Sequence, residues 1–234
     1  MRFAVIVFPG TWSDHDSQYS ITNGMGLEAD LVWHRDGDLS RYDVVVLPGG
    51  FSYGDYLRTG AIARFSPVMD AVAKHAEAGK PVIGICNGFQ VLCEAHLLPG
   101  ALLRNESLQY RCVWVNLRAD NTTSAFTAAF EPGQVIRIPV SHGEGRYFAD
   151  DKTLDQLEAS GRVAFRYCEA DGSLTPDSNP NGSARNIAGI TNERGNVLGL
   201  MPHPERACEP LMGGEDGLLF WRSVVEWAAV KASA

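Results

Sequence analysis

Three short apolar runs limit the fold more than any other feature of this 234-residue chain. Phe3–Phe8 (FAVIVF), Val44–Leu47 (VVVL) and Pro81–Ile85 (PVIGI) are rich in β-branched residues and show no polar alternation. A strand that faces water on one side alternates; one that does not is covered on both faces, as in a parallel sheet. Helical patterns separate these runs, from about Gln18 to Leu27, at Pro67–Glu77 and at Gly88–Glu94, with a further strand at Ala29–Trp33. Pro67–Glu77 has Pro at its start and Gly79 just past its end, the punctuation of a helix. The pattern predicts an α/β fold with a central, mostly parallel sheet flanked by helices.

From Leu102 the character changes. Leu102–Leu103, Arg111–Leu117 and Val135–Val140 read as strands without long helices between them, a small antiparallel extension that makes the sheet mixed. A helix near Thr153–Ala159 follows, then strands at Val163–Cys168, Ile187–Thr191 and Val197–Leu200, and a last helix from about Leu218 to Ala229. Glu169–Ala184, rich in Gly, Asn, Asp, Ser and Pro, is a loop. With no repeat or linker, residues 1–234 are expected to form a single domain.

Composition removes several functions. Twenty basic against 28 acidic residues leave a net charge of −8, which disfavours a nucleic-acid partner. Phe3–Phe8 is too short for a membrane span or a signal sequence. Five cysteines, irregularly spaced and without C-x-x-C, fit neither a disulfide framework nor a zinc ribbon. Free thiols place the chain in a reducing compartment, the cytoplasm.

The most informative stretch is Gly84-Ile-Cys86-Asn-Gly88, where a buried strand turns into an apolar helix. It has the layout of a nucleophile elbow, with Cys in place of Ser. The turn lifts the sulfur to the carboxyl edge of the sheet, where open α/β sheets hold ligands. The helix aims its first N–H groups at the sulfur and favours negative charge there. The amide of Asn87 lies where an oxyanion donor belongs. Cys93, on the apolar face of the same helix, reads as core.

A cysteine nucleophile needs a base, and the base needs an orienting group. A later strand runs into Pro202-His203-Pro204-Glu205, where both prolines fix φ. In an extended chain, residues i and i+2 point the same way, so His203 and Glu205 can act as one unit toward Cys86. Of six histidines, His203 stands out in this way, and His142 is intermediate. Pro48-Gly49-Gly50 also follows a buried strand and offers backbone N–H groups to an oxyanion. Ser141-His142-Gly143-Glu144-Gly145 follows another and could bind the ends of a substrate. No metal is expected, because the Pro-Cys-x-x-Cys that would accompany a His-x-Glu zinc site is absent.

Together these blocks resemble class I glutamine amidotransferases, which adopt a flavodoxin-like α/β fold. The wording of PGGFSYGDYLR, GICNGFQ, SHGEGRY, NPNGS, IAGITN and GNVLGLMPHPER is similar to the glutaminase subunits of phosphoribosylformylglycinamidine synthases, from Phe8 to about Phe220. The resemblance implies Cys86 as nucleophile, His203 as acid and base, and Glu205 as orienter. It implies Gly50 and Asn87 as oxyanion donors, with Gly49, Gln90, His142, Gly143 and Glu144 holding L-glutamine. It implies no cofactor in this chain. ATP and magnesium would be used by a large synthetase subunit, joined through a small bridging subunit. One block departs: the family's Pro-Gly-Ser-Asn is Pro9-Gly10-Thr11-Trp12 here. An amidotransferase serving another synthase, or a flavodoxin-like thiol sensor or chaperone, remain the alternatives. The latter has no need of His-Pro-Glu.

Overall fold

The computed structural model describes residues 1–232. The strands are β1 (Arg2–Val7), β2 (Glu28–Trp33), β3 (Val44–Leu47), β4 (Val82–Ile85), β5 (Ala101–Leu103), β6 (Arg111–Ala119), β7 (Val135–His142), β8 (Arg146–Phe148), β9 (Val163–Cys168), β10 (Ile187–Thr191) and β11 (Val197–Leu200). The helices are α1 (Asp14–Met25), α2 (Val68–Glu77), α3 (Asn87–Glu94), α4 (Asp151–Ala159) and α5 (Leu218–Ala232).

Nine strands form one sheet in the order β2-β1-β3-β4-β11-β10-β9-β6-β7, and β5 pairs with β8 in a separate ribbon. From β2 to β11 every pairing is parallel; from β11 to β7 every pairing is antiparallel. β3 and β4 are buried at every position, as their unbroken apolar runs require. Helix α3 packs on β3, β4 and β11. It buries Phe89, Val91 and Leu92 fully, and each is worth about 1.5–3 kcal/mol of burial. Helices α1 and α5 pack on each other.

Register sets the functional edge. Leu47 of β3 lies opposite Gly84 of β4, and Ile85 lies opposite Leu200 of β11. Three parallel strands therefore end together. They release Pro48-Gly49-Gly50, Cys86 and Pro202-His203 at one carboxyl edge, as expected for an open α/β sheet.

The structure differs from the sequence reading in three places. Helix α1 begins at Asp14 rather than Gln18, because its inward face carries small polar residues that give no apolar signal. Ser17 and Ser20 are buried, and their hydroxyls donate to the Ser13 and Ser17 carbonyls of the same chain segment. Arg146–Phe148, for which the sequence reading gave no strand, is β8, three residues recruited by pairing with β5. Pro204–Arg206 is a 3-10 turn, not extended chain. No described helix is long and apolar enough to cross a membrane.

Candidate active site

Cys86 joins β4 to α3 with φ 51° and ψ −105°, a backbone state that costs a non-glycine residue about 1–3 kcal/mol. Contacts on both sides impose it. The Cys86 N–H donates to the Leu200 carbonyl at 2.7 Å, and its own carbonyl accepts from Phe89 and Gln90 in the first turn of α3. The flanking glycines are there for closeness. A Cβ at Gly88 would fall on the Leu47 carbonyl oxygen, and one at Gly84 would meet the Gly88 carbonyl. Only this spacing lets α3 start directly over the strand ends.

His203 approaches from β11. Its backbone N–H donates to the Pro139 carbonyl of β7 at 2.8 Å, so the antiparallel arm positions the imidazole. Its Nδ1 lies 2.6 Å from Glu205 Oε1, and both side chains are buried. The pairing expected from the sequence is present, but the 3-10 turn at Pro204 makes it rather than an extended chain. Burial lowers the His203 pKa, but the Glu205 carboxylate and then Cys86 outweigh it and raise the value to about 10. The imidazolium is thus the favoured form. Nε2 takes no hydrogen-bond partner among the described residues, while the Cys86 thiol turns to the Ser141 carbonyl at 3.7 Å.

Gly49 is wedged against the pair. A Cβ there would lie 2.7 Å from His203 Cε1 and 3.4 Å from Cys86 Cβ. The Gly49 carbonyl accepts from Trp12 and Ser13, and Thr11 bridges to Gly50. The loop that departs in sequence thus buttresses Gly49 and Gly50 through its backbone, while the Trp12 side chain is 73% exposed.

A cleft of about 190 Å³ opens over Cys86. Gly50, Gln90, His142, Gly143 and Glu144 line it, as the sequence suggested, together with Phe51, Asp55, Thr59, Tyr110 and Ser141. Gly49, Asn87, His203 and Glu205 are not part of this lining. A larger hollow of about 550 Å³ lies between Ala76, Leu97 and Arg194, away from the cysteine. Gln90 acts on the loop that faces Cys86: Nε2 donates to the Glu144 carbonyl at 2.7 Å and Oε1 accepts from Asn87 Nδ2 at 2.8 Å. Asn87 Oδ1 accepts from Ser52 N, which links α3 to the Gly50 loop. Burial, then the charge of His203, lowers the His142 pKa to about 3, so this ring is neutral.

Sequence reasoning missed the residues that hold the 142–145 loop. Asn105 Nδ2 donates to the His142 carbonyl, and Asn105 Oδ1 accepts from Gly145 N. Asn181 Nδ2 donates to the Gly145 carbonyl and reaches His142 Nε2 at 3.0 Å. Asn181 lies in the NPNGS block, so a signal existed for it; Asn105 carries none. Arg206 was also missed: it donates to Ser13 Oγ at 2.8 Å and its Nε lies 3.9 Å from Glu205. Three other thiols are shifted by their surroundings. Burial pushes Cys93 up, Cys168 to about 11 and Cys208 to about 12.

The model of the CobB/CobQ-like glutamine amidotransferase domain matches residues 1–215. The subunit PurQ of phosphoribosylformylglycinamidine synthase from Thermomicrobium roseum is 59% identical over 225 residues, 96% of this chain and 95% of that protein. The one from Moorella thermoacetica is 57% identical over 227 residues, 97% and 96% of the two chains. A chain in the structure of PurLQS from Thermotoga maritima superposes with a TM-score of 0.86 at 45% identity, covering 97% of this chain and 98% of that one. A glutamine amidotransferase from the same organism shares the fold alone, at 17% identity and a TM-score of 0.60. The chain belongs to the glutamine amidotransferases and, among them, to the PurQ family of phosphoribosylformylglycinamidine synthase subunits.

Proposed function

We propose that this chain hydrolyses L-glutamine to glutamate and ammonia through Cys86, His203 and Glu205. The ammonia then passes to a synthetase subunit that converts formylglycinamide ribonucleotide to formylglycinamidine ribonucleotide with ATP. The observation that carries the reading is the buried His203–Glu205 pair at 2.6 Å, seated against Gly49 beside a strained Cys86 that opens into a cleft. A thiol sensor has no use for such a pair.

With its proton already on His203, the Cys86 thiolate attacks the side-chain amide carbon of glutamine, and the carbonyl electrons move to oxygen. The amides of Gly50 and Asn87 receive that oxyanion. Asn87 is the first residue of α3, and an N–H there has no acceptor within its helix. The C–N bond then breaks as imidazolium His203 gives its proton to the departing nitrogen. Ammonia leaves and a γ-glutamyl thioester remains. His203, now neutral, takes a proton from water as water adds to the thioester. The C–S bond breaks, and glutamate is released. Glu205 holds Nδ1 and stabilises the imidazolium in both halves. Gln90, His142, Gly143 and Glu144 hold the rest of the substrate, and Gly49 seats the imidazole. No cofactor is assigned to this chain; ATP and magnesium belong to the large synthetase subunit, which a small bridging subunit joins to this one in the cytoplasm. The similarity to a PurLQS chain supports that partnership.

Reconstitution tests the division of labour. Cys86→Ala should abolish glutamine-dependent synthesis and leave ammonia-dependent synthesis intact. Loss of both would refute it. A diazo-ketone analogue of glutamine should tag Cys86 alone; labels spread over several cysteines would sink the glutaminase reading.

A further inference from the structure

The cleft has an unbalanced charge. Among the described residues that line it, the charged ones are Asp55 and Glu144, both negative. Asp55 stands on a strained turn, with Tyr53 at φ 55°, Asp55 at φ 53° and Leu57 at φ 69°. Such backbone persists only where its surroundings over-determine it. Here the Tyr53 hydroxyl meets His34 Nδ1 at 3.1 Å and Ser66 Oγ at 2.9 Å, and Tyr53 N donates to the Pro9 carbonyl at 2.6 Å. The turn aims a carboxylate whose Oδ1 is buried and has no hydrogen-bond partner among the described residues.

Glu144 is held at the same cleft. Thr59 Oγ1 donates to its Oε2 at 3.5 Å, and the largely exposed Arg104 lies 3.5 Å from its Oε1. Burial, then the charge of Glu144, pushes the Asp55 pKa up to about 6. Arg104 offsets part of the Glu144 charge, whereas Asp55 has no cationic partner among the described residues, so a cation in the cleft would be stabilised beside Asp55. The cluster is too small for an ordinary metal site: no described group of three or more His, Cys, Asp or Glu could hold one. The amino-acid substrate itself carries a cation at the end opposite the amide.

We infer that Asp55, together with Glu144, receives the α-ammonium group of the substrate and sets selectivity for glutamine over amides that lack it. This rests on the glutaminase reading and adds a residue to it. With the amide carbon at Cys86, the ammonium fills the acidic end of the cleft and satisfies the orphaned Oδ1. A neutral or deaminated side chain leaves that oxygen buried and unpaired.

The test uses the reconstituted complex and two substrates, L-glutamine and 4-carbamoylbutanoate, which is glutamine without its amino group. The second serves as substrate and as competitive inhibitor. Asp55→Asn should raise KM for glutamine about 10- to 100-fold, the range for a lost hydrogen bond to a charged group. Its kcat should stay within about threefold, and its handling of 4-carbamoylbutanoate should match the wild type. An equal loss on both compounds would make Asp55 a structural residue and overturn the inference. An unchanged KM for glutamine would overturn it too. Wild-type complex that fails to hydrolyse glutamine at all would instead remove the glutaminase reading beneath it.

Discussion

The two walls of the cleft are held by different means. The Cys86 wall is made of backbone. Its strands end in register, Gly84 and Gly88 let α3 touch β3 and β4, and the strained Cys86 is fixed by main-chain hydrogen bonds. The 142–145 wall is tied largely by side-chain amides, with one main-chain bond from Asn105 N–H to the Gly143 carbonyl. Asn105, Asn181 and Gln90 bind its carbonyls and amides from three distant segments. The first wall presents a reactive atom in a geometry the fold enforces. The second presents a loop that lines the cleft and that polar groups hold one contact at a time. Chemistry and selectivity are thereby separated: damage to one wall should appear in kcat or stability, and damage to the other in KM.

The pair that joins the walls should give the largest effect. His203 hangs from β11 yet is bonded to β7, and Glu205 sets its charge. Glu205→Gln should lower kcat about 10³-fold or more, since an orienting carboxylate fixes the tautomer and stabilises the imidazolium. The sign of the pH effect follows. Glu205 and Cys86 raise the folded pKa of His203 to about 10 against a burial penalty. Protonation therefore stabilises the fold, fully below the unfolded value near 6.5, and this stability is lost as pH rises through about 10. In Glu205→Gln that pH dependence of unfolding should shrink, and the alkaline limb of kcat should move to lower pH. Urea titrations and rate profiles between pH 6 and pH 10 read both.

Next in size is Gly88→Ala, which strikes the backbone wall alone. Its Cβ would fall on the Leu47 carbonyl oxygen, where neither β3 nor α3 can give way. The expected cost is about 3 kcal/mol, the upper end for overpacking, seen as a lower urea midpoint with an unchanged slope. A stable Gly88→Ala variant with full activity would break the contrast between the walls. Asn181→Ala should cost less, about 1–2 kcal/mol, because it leaves the buried Gly145 carbonyl and His142 Nε2 short of a donor. Its kinetic signature should be a higher KM for glutamine with kcat nearly kept.

This contrast also explains what the sequence could show. The backbone wall was legible because its causes are local. Unbroken apolar runs mark buried strands, glycines at a fixed spacing mark a close approach, and a cysteine between them marks the turn. Strands β3, β9, β10 and β11 appear where their apolar runs place them. His203 and Glu205 were legible for the same reason, although the turn that brings them together is 3-10 rather than extended. The amide wall was mostly illegible, because an asparagine in a loop shows nothing of its partner 37 or 36 residues away. Asp55 falls within the GFSYGDYLR stretch, but no local pattern tells that its Oδ1 is buried and unpaired among the described residues. The start of α1 was hidden by Ser17 and Ser20, whose hydroxyls are satisfied within the helix and so tolerate burial.

The smallest expected effect concerns the loop that departs from its family in sequence. Trp12 looks like a large change, yet its contribution to the site is an N–H: it donates to the Gly49 carbonyl at 3.1 Å beside the Ser13 N–H at 3.0 Å. The indole is 73% exposed. Any residue that keeps the amide keeps the support for Gly49, and Gly49 in turn seats His203 against Cys86. Trp12→Ala should therefore leave stability within about 0.5 kcal/mol and glutaminase kcat unchanged. Trp12→Pro, which removes one of the two donors, should weaken the hold on the Gly49 carbonyl and lower kcat while leaving KM for glutamine in place. If the alanine variant were the more damaging of the two, the support would lie in the side chain, and the backbone wall would no longer be built of backbone alone.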